Sequence, residues 1–135
     1  MEIIYELEKD HITQLHKLYQ KEWWTDKRTL DETQKVVENS QIVIAMVDEN
    51  NELQAFARVL TDYVFKALIF DVIVSEKYRG QGLGKELMSL VQNHSALELV
   101  KHFELYCLPE MVGFYEDFGF TKELENLVFM RSDKK

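Results

Sequence analysis

Three glycines within five positions, Gly80, Gly82 and Gly84, followed at once by Lys85, are the residues of this sequence best suited to chemistry. None of the five glycines comes earlier in the chain. They sit where a β-branched run ending at Val74 meets an apolar pattern of helical spacing, Leu83, Leu87, Leu90 and Val91. Glycines at alternate positions leave backbone amides unshielded, and the first turn of a helix adds free N–H groups and partial positive charge. Such a turn is a cradle for phosphate. Two familiar phosphate loops do not fit it. A triphosphate loop requires Gly-x-x-x-x-Gly-Lys-Ser/Thr, but Lys85 is followed by Glu86, which offers no hydroxyl to magnesium. A dinucleotide fingerprint requires Gly-x-Gly-x-x-Gly, and here the third glycine comes one residue early, after a run of strands that does not suit a first βαβ unit.

Other reactive side chains are scattered. Cys107 has no second cysteine to pair with and no histidine at motif spacing to activate it, so it reads as a small buried hydrophobe. His11 and His16 stand at i, i+5, poor spacing for a shared metal; the four histidines read as surface residues, and no metal is expected. Arg58 follows Phe56-Ala57 on a strand pattern, either as a contact for a substrate carboxylate or phosphate or as a plain surface charge.

The elements that position these residues follow from periodicity. Met1 to Leu7 predicts a short strand, and Ile12, Leu15, Leu18, Tyr19 and Trp23 predict an amphipathic helix with Asp10 as its N-cap. Thr29-Leu30-Asp31-Glu32 has the form of a capping box opening a second helix that carries Val36 and Val37. Gln41 to Val47, the turn residues Asp48-Glu49-Asn50-Asn51 and Leu53 to Leu60 predict a hairpin. Ala67 to Val74 predicts a central strand, and a helix runs from Leu83 to near His94. A strand over His102 to Cys107, a short helix over Met111 to Phe118 and a closing strand over Asn126 to Met130 complete the order βααβββαβαβ. That order belongs to an α/β (α+β) fold with a mixed sheet.

Length and charge narrow the function. The 135 residues allow one domain, 1–135, and 46% hydrophobic residues supply a core. A net charge of −8 has the wrong sign for tracking phosphates, so no nucleic acid partner is expected. Met1 to Asp10 lacks the apolar stretch of a signal peptide, and no run approaches the ~20 apolar residues of a membrane span. With a single cysteine, the expectation is a cytoplasmic protein without a membrane partner.

Arg79-Gly80-Gln81-Gly82-Leu83-Gly84, preceded by Val74-x-x-x-Tyr78, resembles motif A of the GCN5-related N-acetyltransferase (GNAT) family, Arg/Gln-x-x-Gly-x-Gly/Ala. Phe114-Tyr115-Glu116-Asp117-Phe118-Gly119-Phe120 resembles the same family's C-terminal Tyr-x-x-x-Gly-Phe signature, so the likeness covers most of the chain. The resemblance implies a mixed, mostly antiparallel central sheet flanked by helices, and acetyl transfer from acetyl-CoA to a primary amine of a small molecule or peptide within a ternary complex; the alternatives are transfer of another acyl group and a non-catalytic coenzyme A-binding regulatory module. It implies that amides of Gly80, Gln81, Gly82, Leu83, Gly84 and Lys85 hold the coenzyme A pyrophosphate, that Arg79 orients the turn, and that the backbone of Ile73 and Val74 pairs with the pantetheine arm. Tyr115 takes the place of the acid that protonates the thiolate. Asp71 is either the base or a hydrogen-bonded structural carboxylate, with Phe70 then on the active face. Trp23 and Trp24 cannot share one helix face, so one stands near the helix end, where the family's acceptor cleft lies; Asp62 is a further acceptor-side candidate. The surplus of carboxylates favours approach of a cationic amine. The family's Asn-x-x-Ala segment has no counterpart here, its positions holding Leu108 and Met111, and the resemblance allows a homodimer.

Overall fold

Five stretches of aliphatic and aromatic residues pair into one sheet in chain order: β1 (Glu2–Ile4), β2 (Ile42–Val47), β3 (Leu53–Thr61), β4 (Lys66–Val74) and β5 (His102–Glu104). The first four pair antiparallel and β5 runs parallel to β4, so the sheet is mixed and mostly antiparallel, as expected. The computed structural model describes residues 1–134 and divides into two units, Met1–Leu105 and the segment from Tyr106 onward.

In the first unit β2 is buried along its whole length, whereas β4 alternates between buried and half-buried residues. The β2–β3 hairpin closes as its turn chemistry predicts. Oδ1 of Asp48 accepts the N–H groups of Asn50 at 2.8 Å and Glu52 at 3.1 Å, and Asn51 takes φ 59°. Three helices flank the sheet: α1 (Lys9–Gln20), α2 (Leu30–Glu38) and α3 (Leu83–Gln92). Leu15, Leu18 and Tyr19 of α1 pack with Val43, Ala45, Val47, Leu53, Phe56 and Ile73 of the sheet into one core. Along α3, Leu83, Leu87, Met88 and Val91 are buried, and the helix packs on β2, β3 and β4.

Three local expectations need correction. α1 starts from Glu8 as N-cap, with Asp10 inside its first turn, and it stops at Gln20. Its last turn tightens where Thr25 Oγ1 donates to the Tyr19 carbonyl at 2.8 Å and Glu22 N–H bonds the same oxygen at 3.2 Å. Trp23 therefore lies beyond the helix, 71% exposed, and anchors nothing in the core. His11 is buried, not on the surface: Nδ1 accepts the Glu8 N–H at 3.1 Å, and Nε2 faces Asn51 Oδ1 at 3.1 Å.

The second unit carries a single turn at Pro109–Met111 and then α4 (Val112–Glu116). Gly119, at φ 88°, turns the chain back so that Phe120 N–H reaches the Tyr115 carbonyl at 3.3 Å. The Phe114 ring meets those of Tyr115 and Phe118 at 5.0 and 5.4 Å. The expected closing strand over Asn126 to Met130 does not form. Leu127, Val128, Phe129 and Met130 are exposed, and no ladder satisfies their backbone groups, without which apolar alternation alone does not make a strand.

The capping box at α2 forms as its sequence predicts: Thr29 Oγ1 accepts from Glu32 N at 3.0 Å, and Glu32 Oε1 accepts from Thr29 N at 2.9 Å. Thr29→Ala should lower unfolding free energy by about 1 kcal/mol, read from chemical denaturation; a loss near zero would mean that the box contributes nothing.

Candidate functional site

The glycine turn is built from left-handed backbone. Gly80 and Gly82 have φ 79° and 83°, and a β-carbon on either would meet nothing within 4 Å, so the space over the turn is open. Gly82 is the N-cap of α3 and brings no side chain to satisfy the first-turn amides of Leu83, Gly84 and Lys85. Its carbonyl accepts the first helical bond, from Glu86 N at 3.0 Å. The donor set is thus a row of backbone N–H groups at the positive end of a helix, chemistry that fits a pyrophosphate. Arg79 fastens the turn to the strand through Nε to the Val74 carbonyl at 3.2 Å, and its Nη2 pairs with Glu22 just past α1. Leu18, Lys21, Glu22, Ile73, Val74, Ser75, Glu76 and Arg79 line a groove of about 260 Å³ between that end of α1 and the end of β4.

β4 is paired unequally on its two edges. β5 pairs with it only from Lys66 to Leu68, whereas β3 pairs with its other edge as far as Val74. Between the pairs Arg58↔Phe70 and Phe56↔Ile73, one residue of β3 stands opposite two of β4, Asp71 and Val72. This is a β-bulge, and Asp71 sits in it at φ 56°, a left-handed conformation that aspartate tolerates better than most residues.

The bulge is held by its own side chain. Arg28 grips the Asp71 carboxylate with two bonds, Nη1 to Oδ2 at 2.6 Å and Nη2 to Oδ1 at 3.1 Å. Arg58 Nε donates to Oδ2 at 2.7 Å, and the Tyr19 hydroxyl donates to the same oxygen at 2.9 Å. Burial opposes ionisation of Asp71, but the bonds from Arg28 and the charge of Arg58 outweigh it and hold the carboxyl below the usual range. Burial and the adjacent carboxylate push the Tyr19 phenol up. Both guanidinium groups lie on aromatic rings, Arg28 over Tyr19 at 4.6 Å and Arg58 over Phe70 at 5.0 Å. Because Arg58 touches Phe70 and Asp71 together, the bulge brings both to the same face.

Residues 4–120 match the model of the acetyltransferase (GNAT) family. The chain belongs to the GNAT family. It is 32% identical to the uncharacterized N-acetyltransferase ycf52 of Pyropia yezoensis over 84% of its own length and 66% of that relative, so it spans slightly less than two thirds of it. An acetyltransferase of the GNAT family from Xanthomonas campestris pv. campestris superposes with TM-score 0.78 at 27% identity, covering 98% of this chain and 94% of that one. An aminoglycoside 6'-N-acetyltransferase in complex with coenzyme A shares the fold at TM-score 0.65 and 19% identity, over 78% of this chain and 61% of that one.

Within this GNAT chain the remaining candidates separate. Tyr115 is buried, and its phenol is pushed up to about 12 by burial and the nearby Cys107. Cys107 is exposed, contrary to the buried hydrophobe expected, and partial desolvation and Glu110 raise its thiol, so it is no activated nucleophile. Asp62 caps the β3–β4 connection: its Oδ1 accepts N–H groups of Val64, Phe65 and Lys66 at 2.7–3.1 Å. Trp23 and Trp24 are both exposed beyond α1. Tyr19, Arg28 and Glu22 were not foreseen as site residues. For Tyr19 and Arg28 the one signal was a carboxylate inside the apolar run Ile69 to Val74, which demands buried partners without saying which; Glu22, the partner of Arg79, had none.

Asp71→Asn keeps a residue that accepts left-handed backbone but leaves two arginines without their counter-charge. We expect roughly 3–5 kcal/mol of destabilisation at pH 7, read by denaturant unfolding. Because the folded-state pKa of Asp71 is depressed, its contribution is present above the unfolded value of about 3.9 and is lost as pH falls through the folded one. The gap between native and variant stability should therefore narrow below about pH 4, and a gap independent of pH would show that the charge is immaterial.

Proposed function

We propose that the chain is an acetyl-CoA-dependent N-acetyltransferase acting on a primary amine of a small molecule or peptide by direct attack in a ternary complex, with residues 1–135 serving as one transferase domain. The observation that carries this reading is the left-handed glycine turn at the uncapped start of α3, adjoining the groove along β4. The amides from Gly80 to Lys85 receive the pyrophosphate of coenzyme A, and the open edge of β4 at Ile73 and Val74 receives the pantetheine arm as an added strand. The cosubstrate supplies an acyl group activated as a thioester. A backbone N–H near Val74 stabilises the developing oxyanion, as the amine nitrogen bonds to the carbonyl carbon and the carbon–sulfur bond breaks.

Tyr115 serves as the proton donor to the departing thiolate. With its phenol pushed up to about 12, it stays protonated at neutral pH. Asp71 is better suited to positioning than to proton transfer, since four hydrogen bonds occupy its oxygens and its carboxyl is held below the usual range. The amine therefore enters as the free base or loses its proton to water. A reducing, cytosol-type compartment is part of the same proposal, in keeping with the exposed free thiol of Cys107.

Coenzyme A at 100 times its Kd should raise unfolding free energy by about 2.7 kcal/mol, visible as a thermal shift. Tyr115→Phe should retain that shift and lose about 10²–10⁴-fold in turnover, measured by thiol release. Unchanged turnover in the variant would overturn the acid assignment. A ligand shift without thiol release from a broad amine panel would favour a coenzyme A-binding module.

A further inference from the structure

Resting on the acyl-transfer reading, we infer that the acceptor amine carries an anionic group, a carboxylate or a phosphate, and that Arg28 and Arg58 receive it. Two of the chain's four arginines converge on a single carboxylate. Among the described residues no second acidic group pairs with either of them, so the cluster holds one positive charge in excess. Neutralising Asp71 needs one arginine. The second adds a surplus charge at a site where the side chains of Asp71 and Arg58 are only 4% and 12% exposed. A protein with a net charge of −8 thus gathers surplus positive charge around Asp71, a few residues along the chain from Leu18 and Val74 of the groove, and that surplus calls for an anionic ligand.

The geometry supplies the receptor. Each guanidinium carries five N–H donors; three of the ten bond Asp71, Arg28 also has a side-chain hydrogen bond to Tyr19, and Arg58 makes one longer contact of 3.5 Å to Ser40 Oγ, which leaves donors over. The rings of Tyr19 and Phe70 fix the planes of the two forks, so their donors are pre-aimed. Arg28 provides the way in, its side chain 28% exposed. The cluster also stands at the right place. Tyr19 follows Leu18 of the groove wall, and Asp71 lies three residues before Val74, about 10 Å along a strand. The anion and the reacting amine thus belong within about that distance of each other in one small molecule. The same surplus repels polyamines and lysine-rich segments, contrary to the steering toward cationic amines expected from overall charge.

The test is a matched acceptor panel with acetyl-CoA, read by thiol release: amino acids against their carboxamides, and glucosamine 6-phosphate against glucosamine. The two anionic arms distinguish carboxylate from phosphate. We expect kcat/KM at least about ten-fold higher for the anionic member of one pair. In Arg28→Lys, which keeps the charge and loses the fork, the preference in kcat/KM for the anionic over the neutral member of that pair should fall about ten-fold. Equal or better use of the neutral members would overturn the inference. Should no amine be acetylated, the acyl-transfer reading fails, and the arginine Nε–Hε signals of labelled protein decide the anion site separately. Movement of the Arg28 and Arg58 signals with the carboxylates or the phosphate, and not with their neutral partners, sustains it, and signals that stay still in every titration overturn it.

Discussion

The first unit is organised around one carboxylate that four donors share. Asp71 occupies a backbone conformation that costs an ordinary L-residue roughly 1–2 kcal/mol, and such a conformation persists only when surrounding contacts over-determine it. Here they come from separate parts of the chain: Tyr19 from α1, Arg28 from the α1–α2 connection and Arg58 from β3. The bulge, the seating of α1 on the sheet and the placement of the α1–α2 connection are therefore one problem with one solution. Removing the charge would leave a strained strand and two half-buried guanidinium groups without their counter-charge, which explains why a polar residue stands in an otherwise apolar run.

That arrangement also divides labour along β4. Up to Leu68 the strand is an ordinary member of a ladder on both edges. Beyond the bulge it keeps only β3, and its free edge leads directly to the glycine turn. Strand, bulge and turn are consecutive, so the parts to which the proposed function assigns a cofactor and an acceptor fall within fifteen residues, from Phe70 to Gly84. On that proposal backbone groups would hold the cofactor side and side chains would shape the acceptor side, which would leave the second free to vary without loss of the first.

The legible features in the sequence were those with short-range physical causes. The capping box of Thr29 and Glu32 needs only residues three apart, and the glycines of the turn announce left-handed backbone by their type alone. The strands of the hairpin follow from local alternation and the turn chemistry of Asp48 and Asn51. Features set by distant partners were not legible. Trp23 continues the helical spacing of α1, yet Thr25 tightens the turn before it. Val128 and Phe129 have the composition of a strand but no ladder to join. The sequence separations from Asp71 to Tyr19 and Arg28, 52 and 43 residues, leave no periodic trace, so the fate of that aspartate stayed divided between two roles.

The pair between Arg79 and Glu22 has a kinetic meaning. It joins the glycine turn to the segment leaving α1 across the mouth of the groove, and the arginine side chain is more than half exposed. An ion pair in water is worth at most about 1 kcal/mol, less than twice the thermal energy. Breaking that contact is therefore within reach of thermal motion and needs no chemical step.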